Sequence, residues 1–322
     1  MTIRYIRKTV ITAKLETTSG TDAVPTGAAN ALKVFDMSIS PVEMTPIQLN
    51  YISAYFGSAM TLPGSVVSKC SFSVSLSGAG DAATAPAWGA LLLGCANSET
   101  TGLSVPPRVE YLPATDLLKN LTIYYYDDGL LHPMLGCFGN VKLSAKAGEA
   151  PKLVFDFIGV AVTPTAVGNA TPVLTAWKPP VAITMANVTD ITLGCTYAVG
   201  ALTGGTPYNS TGLTLDWGNK TTFTPMLSVE KVALSDRKIV GALSLELTAA
   251  QEASMIATVK AGTTQGLGFV IGKTSGNQVM LHAPAMRLKT HKKEELNGMR
   301  LVGFDFELDP VSGNDELRVV LL

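Results

Sequence analysis

Residues 121–162 read LTIYYYDDGLLHPMLGCFGNVKLSAKAGEAPKLVFDFIGVAV. This stretch decides the fold class. Leu121 to Tyr126 is an aromatic strand, made of residues that suit a pleated, half-buried surface. Asp128-Gly129 is the dipeptide of a tight hairpin turn. A second strand follows, then the polar tip Ser144–Lys152. A third strand, Leu153-Val154-Phe155-Asp156-Phe157-Ile158-Gly159, ends in a short apolar run. A three-stranded meander leaves one apolar face uncovered, so more strands or a helix must bury it.

The cover is expected on both sides of the meander. Val66–Leu76 alternates cleanly, with Cys70, Phe72, Val74 and Leu76 on one face. Pro86–Cys95 sets Trp88, Leu91, Leu92 and Cys95 at the spacing of one helical stripe. Leu32–Ile39 alternates as a strand, while Gly102–Pro113 reads as loop. Residues 17–31, TTSGTDAVPTGAANA, have loop chemistry and are expected to form an extended arm that orders on a neighbour. Ser40–Ser65 carries Pro41, Pro46 and Pro63 and is too long for an ordinary hairpin loop. It holds Tyr51, Ile52, Tyr55, Phe56 and Met60, an apolar load that points to a contact surface. The competing reading is that the loop folds back on its own domain.

Pro164, Gly168, Pro172 and Pro179-Pro180 mark residues 163–180 as a linker, which divides the chain into domains 1–162 and 181–322. In the second part, strand character at 182–199 gives way to loop at 200–212. A strand pair over 213–226 turns at Gly218-Asn219, and 236–247 is strand again. Thr248–Lys260 is a helix with Thr248 and Gln251 at capping-box spacing, Met255, Ile256 and Val259 as its apolar stripe and Gly262 as its stop. Strands are expected at 267–271, 278–288, 299–308 and 316–322, with Pro284 marking an edge or bulge and His291–Asn297 a charged hairpin tip.

The two parts share an order of elements. SFSVSL followed by a helix returns as ALSLEL followed by a helix, and Phe155-Asp156-Phe157 returns as Phe304-Asp305-Phe306. Shared order over such a length indicates an internal duplication.

Composition narrows the class. The chain has 322 residues, 47% hydrophobic and 15% charged, with a net charge of −1. A lone soluble domain usually carries about 25% charged residues, so much of this surface is expected to be covered by neighbours. The near-zero charge argues against binding nucleic acid through phosphate contacts. No apolar run reaches the ~18 residues of a spanning helix. The alternating opening MTIRYIRKTVITAKLE lacks the core of a signal peptide, so synthesis in the cytoplasm is expected. Cys70, Cys95, Cys137 and Cys195 stand far apart among apolar neighbours and read as buried free thiols.

Catalytic constellations fail on spacing. Before Gly272-Lys273-Thr274, Gly266 leaves five residues and Gly268 three, where a phosphate loop needs four. The intervening Phe269-Val270-Ile271 is strand, so its N–H groups go to a ladder. His132, His282 and His291 lack metal-ligand spacing. The sequons at Asn120, Asn169, Asn187, Asn209 and Asn219 are attributed to chance in a Thr-rich chain. No enzyme activity, cofactor or metal is expected.

Taken in order, several segments resemble the tail tube (major tail) protein family of long-tailed, non-contractile bacteriophages. They are RKTVITAKLETTSGTDAVPTG (7–27), SISPVE (38–43), APAWGALLLGCAN (85–97), the block from Tyr111 to Gly159, and DRKIVGALSLEL with SGNQVMLHAPAMRL. The resemblance implies a mainly β fold of two tandem tail-tube-type β-sandwich or barrel units, each with one flanking short helix. It implies a structural virion protein whose rings stack into a hollow tube for genome passage. With two units per chain, three chains rather than six would close a pseudo-hexameric ring. Tyr51, Ile52, Tyr55, Phe56 and Met60 then become inter-ring or inter-subunit contacts. The expected partners are other copies and the tail terminator, distal tail and tape-measure proteins, with DNA passing unbound. A tube that passes DNA needs a neutral or acidic lumen, for which Asp127 and Asp128 are candidates. The alternative is a β-sandwich binding module of the receptor-binding or adhesin type.

Overall fold

Two turns explain how two of the hairpins start. Asp128 and Gly129 both have positive φ, 39° and 95°, and so do Asn297 and Gly298, at 49° and 81°. That is the primed turn whose twist matches the strands it joins, and Asp-Gly and Asn-Gly are the dipeptides that reach it at least cost.

The structure is a computed structural model that describes residues 3–52 and 54–322. Met1 and Thr2 of the opening segment and Ser53 of the 40–65 excursion lie outside the described residues. The first half contains β1 (Thr9–Leu15), α1 (Gly27–Asn30), β2 (Phe35–Met44), β3 (Ile47–Leu49), β4 (Met60–Leu62) and β5 (Val66–Ser75). It continues through α2 (Gly89–Leu93), β6 (Asn97–Ser104), β7 (Pro107–Pro113), β8 (Leu121–Asp127), β9 (Leu130–Lys146) and β10 (Lys152–Ala161). Short strands follow: β11 (Thr165–Ala166), β12 (Ile191–Leu193), β13 (Thr196–Ala198), β14 (Ala201–Thr203) and β15 (Thr206–Tyr208). The remainder is β16 (Ser210–Asp216), β17 (Asn219–Pro225), β18 (Glu230–Arg237), β19 (Val240–Leu245), α3 (Ala249–Ala261), β20 (Thr264–Ile271), β21 (Val279–Leu296), β22 (Met299–Leu308) and β23 (Arg318–Leu321). The fold is mainly β.

Eight strands form one antiparallel run in the order β2-β5-β10-β9-β16-β19-β22-β21. It consists of two quartets with the same pairing scheme. Phe155 lies opposite Phe72 on β5 and Val141 on β9. Phe304 lies opposite Leu243 on β19 and His291 on β21. Both β2 and β16 carry an irregularity near their starts, between Phe35 and Ser38 and between Ser210 and Gly212, on neighbouring steps of the ladder. Beyond the quartets, β8 pairs with β9 and β1 with β8, as β20 pairs with β21 and β12 with β20.

One face of the run is the core. Phe72, Val141, Leu143, Phe155, Phe157, Leu213, Leu215, Leu243, Phe304 and Phe306 are all buried there. Each such side chain contributes roughly 1.5–3 kcal/mol by leaving water. The expected stripe Trp88, Leu91, Leu92 and Cys95 is buried as well, although α2 itself spans only five residues. Trp88 Nε1 donates to Ser77 O at 2.8 Å, so the ring is fixed at its polar end too. Helix α3 has the expected capping box and a left-handed Gly262 after its last turn. Of its stripe only Met255 is fully buried, and the helix packs on β21, where Glu252 meets His291 and Lys293. Pro284 sits in a bulge, where β20 and β21 shift register between Gln265 and Leu267.

Several loop readings are corrected. Strand β2 continues to Met44, and β3 pairs with β4, so the 40–65 excursion is a β-hairpin arm. Residues 102–113 lie in the β6–β7 hairpin. Residues 200–212 hold β14, β15 and the start of β16, runs too short for alternation to reveal. The charged segment 291–297 is ladder up to Leu296↔Met299, not tip, since its charges stand on a ladder with a solvated side. Residues 17–31 are pinned to their own chain. The Glu16 carboxylate accepts from Gly20 N, Thr122 Oγ1 and Gly136 N at 2.6, 2.9 and 2.7 Å, and Ala23 N donates to Thr122 Oγ1. Across residues 163–180, β11 pairs with β9, and buried Trp177 donates to Ala31 O at 2.9 Å.

Candidate assembly surfaces

The first surface is internal. Between β9 and β16, where the two quartets meet, Leu143 faces Leu215 and Ala145 faces Leu213, all buried. On the open side Asn140 Nδ2 donates to Asp216 Oδ1 at 2.7 Å, and Lys142 sits between Asp156 and Asp216 at 3.6 and 3.8 Å. Asn219 closes the end of this junction, donating to Cys95 O at 2.8 Å and to Gly139 O at 3.1 Å. A second junction joins β7 to β23. There Glu110 accepts from Arg108 Nε at 2.6 Å, from Tyr197 Oη at 2.5 Å and from Arg318. Burial pushes its pKa up, but the Tyr197 and Arg108 hydrogen bonds and the Arg318 charge outweigh that and hold the carboxyl below its ordinary value.

The second surface is the pair of outer edges. Among the described residues β2 pairs with β5 alone, and β21 beyond Arg287 pairs with β22 alone. Their outward N–H and C=O groups are a template for another strand.

The third is the open face of the eight-stranded run. Lysines and carboxylates interleave on it: Lys152 with Asp36 at 3.7 Å, Lys292 with Asp305 at 2.6 Å, Lys289 with Glu307. Glu294 accepts from Ser244 Oγ at 2.5 Å. A shallow groove of about 550 Å³ runs beside the junction, lined by Lys142, Val154, Asp216, Lys289 and Asp305.

The fourth is a pair of arms. Tyr51, Ile52, Tyr55, Phe56 and Met60 project on the β3–β4 arm, each at least 63% exposed. The β17–β18 hairpin occupies the same place between β16 and β19 and ends in exposed Met226, Leu227 and Val229. The sequence reading missed it. The signal was available: Met226-Leu227 interrupts two alternating runs at the point matching the first arm. Four antiparallel pairings separate β2 from β16, so the two strands run in the same direction and both arms start at one end of the sheet, where β17–β18 lies against β9 and β10.

Asp127 ends β8 opposite Leu130, and Asp128 opens the β8–β9 turn at the far end of β9 from the β16 junction. Asp127 pairs with Arg4, and Asp128 Oδ2 accepts from Tyr5 N at 2.7 Å. All four cysteines are buried free thiols, with Cys70 pushed up to about 12 by burial and then by Asp156. Residues 266–277 are held by packing. A Cβ on Gly266 would stand 1.9 Å from Cys195 O, and Gly276 O accepts from Gly80 N at 2.7 Å. His282 is buried beside Tyr197, and His291 bonds Glu252 at 2.7 Å. A 420 Å³ pocket near Ile183 and Phe269 is lined by one carboxylate, Asp190. Among the described residues no cluster of His, Cys, Asp and Glu is grouped to hold a metal, and no helix is long and apolar enough to cross a membrane.

No curated protein matches the chain. A family model described as phage tail tube protein matches residues 6–315. That match spans both quartets, both arms and both outer edges, and on it the chain belongs to the phage tail tube protein family, structural components of the bacteriophage virion tail.

Proposed function

We propose that the chain is a duplicated tube subunit, with domains 1–162 and 181–322, and that three copies close one pseudo-hexameric ring. The observation that carries this reading is the β9–β16 junction. Two equivalent quartets already meet edge to edge inside one chain, and among the described residues the equivalent edges at the two ends of the run have no partner strand. A contact that joins unlike edges of successive copies closes into a ring when its rotation divides a full turn. Six quartets spaced about 4.8 Å per strand and tilted about 40° give a barrel roughly 150 Å round and about 48 Å across, narrowed by side chains to about 38 Å. A DNA duplex of roughly 20 Å passes through such a bore.

The open face becomes the lumen. Its lysines are held by carboxylates, so it offers few free cations for phosphates to exchange against counterions. Asp127 and Asp128 stand outside this face and have no lumen role in the reading. Rings stack through Tyr51, Ile52, Tyr55, Phe56 and Met60, joined by Met226, Leu227 and Val229 on the second arm. The tube is built in the host cytoplasm, meets terminator, tape-measure and distal tail proteins, and carries the genome to the host without binding it.

Negative-stain electron microscopy of the purified protein, with end-on class averages and mass per ring, tests this. Three chains per ring are expected. Six chains per ring would overturn the duplication, and dispersed monomers at high concentration would favour a β-sandwich binding module.

A further inference from the structure

We propose that residues 37–40 of β2 pair antiparallel with residues 292–295 of β21 in the next copy, with Ser38 opposite Glu294 and Ser40 opposite Lys292. This assignment rests on the ring reading and names its strands and register.

The register follows from the two quartets. Phe155 and Phe304 are equivalent, and their neighbours on the inner strands are Val141 and His291. Counting along both strands makes Lys142 equivalent to Lys292 and Ser144 to Glu294. On the other side Phe72 is equivalent to Leu243. The next strand outward then makes Ser38 equivalent to Thr214 and Ser40 to Asp216, since Ser38 faces Ser71 as Thr214 faces Ala242. Inside the chain Thr214 faces Ser144 and Asp216 faces Lys142. Carried to the free edges, the same junction sets Ser38 against Glu294 and Ser40 against Lys292.

Burial agrees with the parity. Leu213 and Leu215 point into the core, and their counterparts Met37 and Ile39 are the β2 residues packed against it. The difference lies across the seam. Leu143 and Ala145 are buried within the chain, whereas their counterparts Lys293 and Glu295 are exposed. The internal junction is therefore an apolar, permanent one, and the junction between copies is polar. Charges on an edge strand keep a free subunit from pairing at random. They leave closure to a partner presenting the right strand in the right register.

Directly opposed residues of an antiparallel pair have Cα atoms about 4.5–5.5 Å apart, within the reach of a disulfide. Ser38→Cys with Glu294→Cys changes an exposed serine and a half-buried glutamate that accepts from Ser244 Oγ. On oxidation the double variant is expected to run as a covalent trimer on a non-reducing gel, while each single variant stays monomeric. Ser40→Cys with Lys292→Cys is a second, independent pair with the same expected result. Ser38→Cys with Lys292→Cys lies on the diagonal and is expected to cross-link far less. Rings visible by microscopy with no cross-link from either opposed pair, or with the diagonal pair reacting best, would overturn the seam and leave the ring standing. Absence of rings from the unmodified protein would remove the ring reading itself.

Discussion

Leu143 and Lys293 hold equivalent positions, one inside the chain and one on a free edge, and truncating each separates the two kinds of junction. Leu143 is 2% exposed and faces Leu215, also 2% exposed, across the β9–β16 pairing. Leu143→Ala opens a cavity at the centre of that contact, and such truncations cost about 2–5 kcal/mol. For a chain of this size roughly 2 °C of Tm is lost per kcal/mol, so a fall of about 4–10 °C is expected. Lys293 has half its side chain exposed and is paired with Glu252 on α3. Exposed pairs contribute about 0–1 kcal/mol, so Lys293→Ala is expected to move Tm of the unassembled chain by no more than about 2 °C. The assay is thermal unfolding of both variants below any assembly concentration, followed by circular dichroism. Equal shifts would refute the reasoning. So would two separate transitions in Leu143→Ala whose higher one is unshifted, since the junction would then not couple the halves.

Other outcomes follow from the same geometry. The Glu110 carboxyl titrates below its ordinary 4.5 in the folded chain, so its stabilisation is present above that pH and is lost as pH falls through the folded pKa. Glu110→Gln is expected to cost about 1.5–3 kcal/mol at neutral pH, because it removes the charge that Arg108, Arg318 and Tyr197 converge on. The gap between variant and parent should narrow below pH 4.5, and a gap constant from pH 7 to 3 would count against the network. Gly266→Ala forces a Cβ onto Cys195 O and is expected to cost at least about 1–3 kcal/mol, read from the urea midpoint. Deleting residues 44–62 removes the β3–β4 ladder, which among the described residues pairs with no other strand, and the last β2–β5 step at Met44, so a folded chain that no longer stacks is expected. Normal tubes from that deletion would relieve the arm of its stacking role.

Legibility varied with the range of the interaction that decides each feature. The β8–β9 turn was readable because Asp128-Gly129 reaches positive φ locally. The α3 cap was readable because Thr248 and Gln251 lie one turn apart. The Phe-Asp-Phe strands were readable because alternation over several residues leaves its period in the sequence. The 291–297 segment was misread because its charges look like a tip when the partner strand is unknown. The arms were harder. A hairpin with three-residue ladders carries too little periodicity, and the second arm became visible only once β16 and β19 were seen to match β2 and β5.

By itself the sequence determined a mainly β chain, the recurrence of Phe-Asp-Phe in two strands, its helix cap, its buried thiols and its resemblance to tail tube proteins, all of which depend on neighbours along the chain or on composition. Only the tertiary structure decided that β9 pairs with β16, that among the described residues β2 and the far end of β21 each have a single partner strand, and that both arms start at one end of the sheet. Strand partners are chosen by backbone groups that every residue carries, so which edges meet depends on how the buried faces stack. Leu143 and Lys293 look unrelated in the sequence, and they became counterparts only when the two Phe-Asp-Phe strands were set in the same ladder.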